Sequence, residues 1–170
     1  MNQTDTLAET IYRYTQLNQT LQKADALFVL CSHDTRVATY AAELYLEGLA
    51  PWLMISGGVG ELTKQEQGRD FDSFILIQKS SMERRTYATF AAQWPDADTK
   101  IQVSSPRLSY EKYFDGAIDK ELAISVMLGD LQRIKEYPAR GFQIEQDIPE
   151  EVWSAFESLV AMRYDQHLLQ

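Results

Sequence analysis

Four stretches of the chain gather side chains able to hold an anion. Ser32-His33-Asp34-Thr35-Arg36, Ser56-Gly57-Gly58-Val59-Gly60, Gln78 through Thr86 (QKSSMERRT) and Ser104-Ser105-Pro106-Arg107 each follow directly on an apolar run. Arg36, Lys79, Arg84, Arg85 and Arg107, five of the 16 basic residues, fall in or beside these stretches. Cations, glycine turns and unpaired helix N–H groups together favour phosphate or carboxylate, so binding of a small anionic ligand is the chemistry these residues suit. The plainer reading of Arg84 and Arg85 is as solvated residues of a helix's first turns. Adjacent helical residues point to different sides, so both facing one pocket is the less expected arrangement.

Glycines directly after a strand let the backbone approach a ligand closely, but they also make ordinary tight turns. SGGVG lacks the GxGxxG spacing of a dinucleotide fingerprint, and no GK[ST] follows to make it a phosphate-binding loop of the nucleotide triphosphatases. Cys31, His33 and Asp34 place a thiol, an imidazole and a carboxylate within four residues. Catalytic triads are assembled across a fold rather than by adjacency, so Cys31 reads first as a small buried apolar residue. His33 reads as a ligand contact or as part of a helix cap with Asp34. No catalytic residue is assigned, and His167, beside Asp165 and Gln166, is expected to be exposed and inert.

The elements that must position these stretches alternate between strand and helix. Leu7, Ile11, Tyr14, Leu17 and Leu21 stripe one face of a helix over the first 24 residues, with Thr6 and Glu9 as a capping box. DALFVLCS, WLMIS and FDSFILIQ are continuous apolar runs, the pattern of strands covered on both faces, and KIQVS is a shorter fourth. Helices are predicted over 35–47, stopped by Gly48, and over 82–94, stopped by Pro95. Further helices are predicted over 119–136 and 149–169, with GFQIE (141–145) as a candidate fifth strand. The expectation is a single α/β domain, 1–170: a Rossmann-like three-layer sandwich with a mainly parallel sheet of about four to five strands and extra C-terminal helices. In such a sheet all four polar stretches lie beyond the carboxyl ends of the strands, where ligands bind.

Composition narrows the partners. A net charge of -9 repels nucleic acid and anionic membranes, and the longest apolar run, six residues, is far short of the about twenty that span a bilayer. One cysteine excludes an internal disulfide framework and a cysteine zinc site, and two histidines leave little for a histidine-rich metal centre. No signal peptide is visible in MNQTDTLAET, and a cytoplasmic location is expected.

ADALFVLCSHDTRVATYAAELYLEGLAPWLMISGGVGELTK, FILIQKSSMERRTYATF and YPARGFQIEQDIPEEVWSAFESLV together resemble the YdcF-like family, itself distantly related to the SanA and ElyC envelope proteins. The resemblance covers nearly the whole chain and implies a Rossmann-like fold associated with S-adenosylmethionine. It also implies Ser32, His33, Asp34, Arg36, Gly57, Gly58, Lys79, Arg84, Arg85 and Thr86 as pocket residues. The chain departs from that pattern at Cys31, where glycine is usual, and at Ser80, where proline is usual. It also departs between Lys64 and Gln65, where a block containing a strand and an S-x-N-T-x-E-N segment is absent. If the family order is 3-2-1-4-5, the absent strand is an outer one and the rest can pair as 2-1-4-5. The exposed edge would then favour marginal stability, aggregation or a homodimer. The expected partner of the site is a small anionic or nucleotide-like metabolite. A non-catalytic regulatory or interaction protein remains an alternative, as does a transferase or phosphoester hydrolase of undefined substrate.

Overall fold

Residues 2–56, 71–115 and 119–169 are described by a computed structural model of the chain. The apolar runs form four parallel strands, β1 (Ala26–Val29), β2 (Trp52–Ile55), β3 (Ser73–Ile77) and β4 (Lys100–Ser104), in the order β2-β1-β3-β4. Leu27 pairs with Leu53 on one side and Ile75 on the other, and Val29 with Ile55 and Ile77. Because side chains alternate along a strand, this register sends Leu27, Val29, Ile75 and Ile77 to one face. There they pack with Val37, Ala41 and Leu44 of α2 (Thr35–Leu46). Ala26, Phe28, Phe74 and Leu76 point to the opposite face, where Tyr87 and Phe90 of α3 (Glu83–Gln93) and the adjoining Trp94 cover them. A helix on each face of a parallel sheet makes the three-layer Rossmann-like sandwich that the alternation of elements predicts.

A second apolar cluster joins four further helices. Ile11 and Tyr12 of α1 (Gln3–Thr15) pack with Tyr110 and Tyr113 of α4 (Tyr110–Tyr113) and with Ile124, Leu128 and Leu131 of α5 (Lys120–Glu136). Phe156 and Leu159 of α6 (Glu150–Ala161) complete it. Pro149 is the N-cap of α6 rather than a residue of its first turn. No helix among the described residues is long and apolar enough to cross a membrane.

The structure corrects the expected element boundaries at both ends of the chain. Asn2, not Thr6 with Glu9, caps α1: its side chain accepts from the Asp5 N–H at 2.8 Å. The helix ends at Thr15, not near residue 24, and Asn18 adopts φ 49°. Leu17 and Leu21, spaced as a helical stripe, enter the clusters on opposite faces of the sheet. The chain between them runs beside β4, where Gln19 Oε1 accepts from Val103 N (2.7 Å) and Gln102 Oε1 from Gln22 N (2.7 Å). GFQIE is not a strand: Ile144 N–H donates to the Ala88 carbonyl (3.1 Å), laying that segment along α3.

Candidate functional site

β1 leads through α2 to β2, on one side of it in the sheet, while β3 leads through α3 to β4 on the other, with the two helices on opposite faces. The carboxyl ends of β1 and β3 therefore flank the point where the connections diverge, the place where open α/β sheets bind ligands. A cavity of roughly 710 Å³ opens there, lined from β1 by residues 31–36, from β3 by Gln78, Lys79, Ser81 and Met82, and from the helical cluster by Tyr113 and the start of α5.

The β1 turn is built by its own side chains. The strand stops at Val29, so Cys31 and His33 do not share a strand face. Cys31 is exposed rather than buried; its N–H donates to Ser56 Oγ at 2.8 Å and its thiol to the Ser56 carbonyl. Ser32 Oγ accepts from the Asp34 N–H (3.1 Å), and Asp34 caps α2 by accepting from Arg36 N (3.1 Å). The same carboxylate takes the Arg36 guanidinium in two bonds, Nε at 2.8 Å and Nη2 at 2.7 Å. This pairing holds the Asp34 carboxyl below the usual aspartate range and pushes the arginine upward. Arg36 also donates to the carbonyls of Lys112 (3.1 Å) and Tyr113 (3.2 Å) and lies 5.6 Å from the Tyr113 ring centroid. It thus clamps the β1 turn to α4.

The β3 turn is held to the same helix. A short 3₁₀ helix, Ser80–Met82, directs Ser80 Oγ to the Pro106 carbonyl (2.6 Å) and Ser81 Oγ to the Tyr113 hydroxyl (2.9 Å). The hydroxyl at position 80, where the resembled family has proline, therefore fixes the turn after β4. Lys79 precedes the 3₁₀ helix, half-buried, and no hydrogen bond or ion pair engages its ammonium among the described residues. Its charge is among those that favour ionised Asp34.

Of the residues singled out in the sequence, Ser32, His33, Asp34, Arg36 and Lys79 come together on this cavity. Gly57 and Gly58, with the rest of SGGVG and the junction between Lys64 and Gln65, lie outside the described residues. The structure places the remainder elsewhere. Arg84 donates through Nε to the Tyr14 carbonyl (2.7 Å) and through Nη1 to Gln146 Oε1 (3.3 Å), with its guanidinium 4.2 Å from the Tyr14 ring centroid. Arg85 is ion-paired with buried Asp130, Thr86 is buried, and Arg107 donates to the Gln19 carbonyl (3.0 Å). None of these four lines the cavity. The 3₁₀ turn ahead of α3 aims Ser81 and Met82 at the cavity and leaves the arginines to structural partners on α1 and α5.

Sequence reasoning missed the wall contributed by α4 and α5: Tyr113, Asp119, Leu122, Ala123 and Val126. Leu122, Ala123 and Val126 carry the one available signal, a short apolar stripe at helical spacing at the start of α5. Among the described residues no group of three or more His, Cys, Asp or Glu side chains is disposed to hold a metal ion.

No known family's sequence profile matches the chain. A curated relative, the uncharacterized protein SCO4629 of Streptomyces coelicolor, is 25% identical over 197 residues, covering 89% of this chain and 88% of the relative. That matched stretch exceeds the 170 residues of the chain, so the relative carries residues within it that have no counterpart here.

Proposed function

We propose that the cavity between the β1 and β3 turns binds a small anionic or nucleotide-like metabolite. S-adenosylmethionine is the named candidate, through the resemblance to the YdcF-like family. The observation that carries the reading is the Lys79 ammonium, unengaged among the described residues, at the point where the sheet's connections diverge, beside the N-terminus of α2. Binding is favoured over catalysis because Asp34, the carboxylate of the β1 turn, is committed to Arg36. A carboxyl held below its usual range is a weak general base. The cavity's volume falls within the range of small-molecule sites, roughly 300–1,000 Å³. A cytoplasmic location accompanies this reading, since a metabolite site and a single exposed thiol both suit a reducing compartment.

Isothermal calorimetry of the folded chain with S-adenosylmethionine and with nucleotides tests the proposal. Heat is expected with one of them and is expected to vanish in Lys79→Ala. Folded protein that gives no heat with any of them removes the reading. A turnover screen with and without Mg²⁺ separates binding from a transferase or hydrolase activity.

A further inference from the structure

From the balance of charge around the cavity we infer that its ligand presents one negative charge on an apolar or cationic body, and that polyphosphates are excluded. This inference rests on the reading of the cavity as a metabolite site and narrows the class of metabolite. The ionisable lining among the described residues is neutral overall: Asp34 and Asp119 oppose Arg36 and Lys79, with His33 counted neutral. Three of these four are already occupied. A guanidinium has five N–H donors, and four bonds from Arg36 go to Asp34, Lys112 and Tyr113. Asp34 is the other half of that clamp, and Asp119 caps α5 by accepting from the Leu122 N–H at 2.7 Å. Among the described residues of the lining, Lys79 is left as the one cation able to take a ligand's charge in full.

A second negative charge on the ligand would find no such partner among the described residues of the lining. It would instead meet Asp34 and Asp119, in a chain whose net charge is already -9. Met82, Leu122, Ala123 and Val126 give the lining an apolar part, beside the uncharged polar Ser32, Thr35, Gln78, Ser81 and Tyr113. Leu122 stands 48% exposed, as expected of a side chain that an apolar ligand body would cover. S-adenosylmethionine, whose carboxylate is its only negative group, meets these conditions; ATP does not.

An amide-resolved NMR titration of the whole chain with phenylacetate, and separately with ATP, reads this directly. Phenylacetate is expected to move the amides of Ser81, Met82 and Val126, and Lys79→Met to weaken it roughly tenfold or more, the loss of one charge-assisted hydrogen bond. ATP at the same concentration should leave those amides in place. Leu122→Asp, at an exposed position that the fold tolerates, should weaken phenylacetate as well and supplies a second variant if Lys79→Met fails to fold. Tighter binding of ATP than of phenylacetate at these amides overturns the inference, as does phenylacetate binding that neither variant weakens. If S-adenosylmethionine gives heat while phenylacetate leaves the cavity amides still, the single-charge rule falls and the metabolite site stands. If none of the three ligands touches them, both fall.

Discussion

Asp34 and Asp130 are both shielded carboxylates facing an arginine, and their surroundings push them in opposite directions. Asp130 is buried; desolvation, the largest influence, raises its pKa above 3.8 in spite of Arg85, and its Oδ2 has no hydrogen-bond partner among the described residues. Removing the arginine leaves that carboxylate buried without its ion-pair partner, with only the more distant charges of Lys79 and Arg133 to offset it. Arg85→Ala is therefore expected to cost about 3–5 kcal/mol in urea denaturation, and Arg85→Met with Asp130→Leu to recover most of it. An Arg85→Ala midpoint close to wild type would show that the pair contributes little. Asp34 runs the other way, its pKa lowered from 3.8 chiefly by the Arg36 hydrogen bond. Between the folded-state value and 3.8 the unfolded chain binds more protons, so this contribution is present above 3.8 and is lost as pH falls below it. Asp34→Asn keeps a good helix cap. It should lower stability at neutral pH and flatten the acid limb of a stability-against-pH curve relative to wild type; parallel acid limbs would deny Asp34 that role. Single residues were unevenly legible in the sequence for the same reason. His33, Asp34 and Lys79 belong to strand-end turns, which position alone reveals. The engagements of Arg84 and Arg85 depend on Tyr14 and Asp130, 70 and 45 residues away, and no local pattern carries that information.

At the scale of elements, the apolar runs located the strands β1 to β4, but only β1 and β3 are largely buried on both faces; β2, read as a buried strand, is mostly exposed at the sheet edge. The helices around them were legible from periodicity, and α5 begins within one residue of its predicted start with Asp119 as its cap. Periodicity failed where spacing coincided with a different geometry. Leu17 and Leu21 are four apart, yet they straddle the edge of the sheet in an extended segment. The four residues of α4 are too few to show a period, although Arg36 and Ser81 both fasten to Tyr113 there. One element carries a constraint invisible to pattern, the glycine at the middle of α5. Alanine normally favours a helix over glycine by about 1 kcal/mol. At Gly129, however, a Cβ would overlap the His167 carbonyl oxygen and crowd the Arg133 guanidinium that donates to it. Though exposed as a side chain, His167 thus has a backbone role. Gly129→Ala is expected to leave α5 intact and to release the C-terminal segment. Hydrogen exchange should quicken at Leu169, whose N–H donates to Gln132 Oε1 at 2.7 Å, while the core amides of α5 hold. Unchanged exchange at Leu169 would mean the segment accommodates the methyl group by sliding.

For the whole molecule, the two edges of the sheet are treated differently. The edge at β4 is covered: the segment after α1 lies along it, Gln19 Oε1 taking the Val103 N–H and the Gln102 side chain bonding both ways with the Gln22 backbone. The opposite edge, β2, has no strand beyond it among the described residues, and Leu53 and Ile55 on it stand 38% and 65% exposed. The order β2-β1-β3-β4 leaves β2 outermost among the described strands. An apolar edge without charged or proline residues is a template for another strand, and the occupant of matching chemistry is the β2 of a second copy. Sedimentation velocity over a wide range of concentrations should therefore show reversible self-association. Ile55→Lys, which places a charge on the edge at a site too exposed to alter monomer stability by more than about 0.5 kcal/mol, should return the protein to monomer. A wild-type chain that stays monomeric at every concentration, with a high melting temperature, would show that this edge is closed by other means and that the shortened sheet is stable alone.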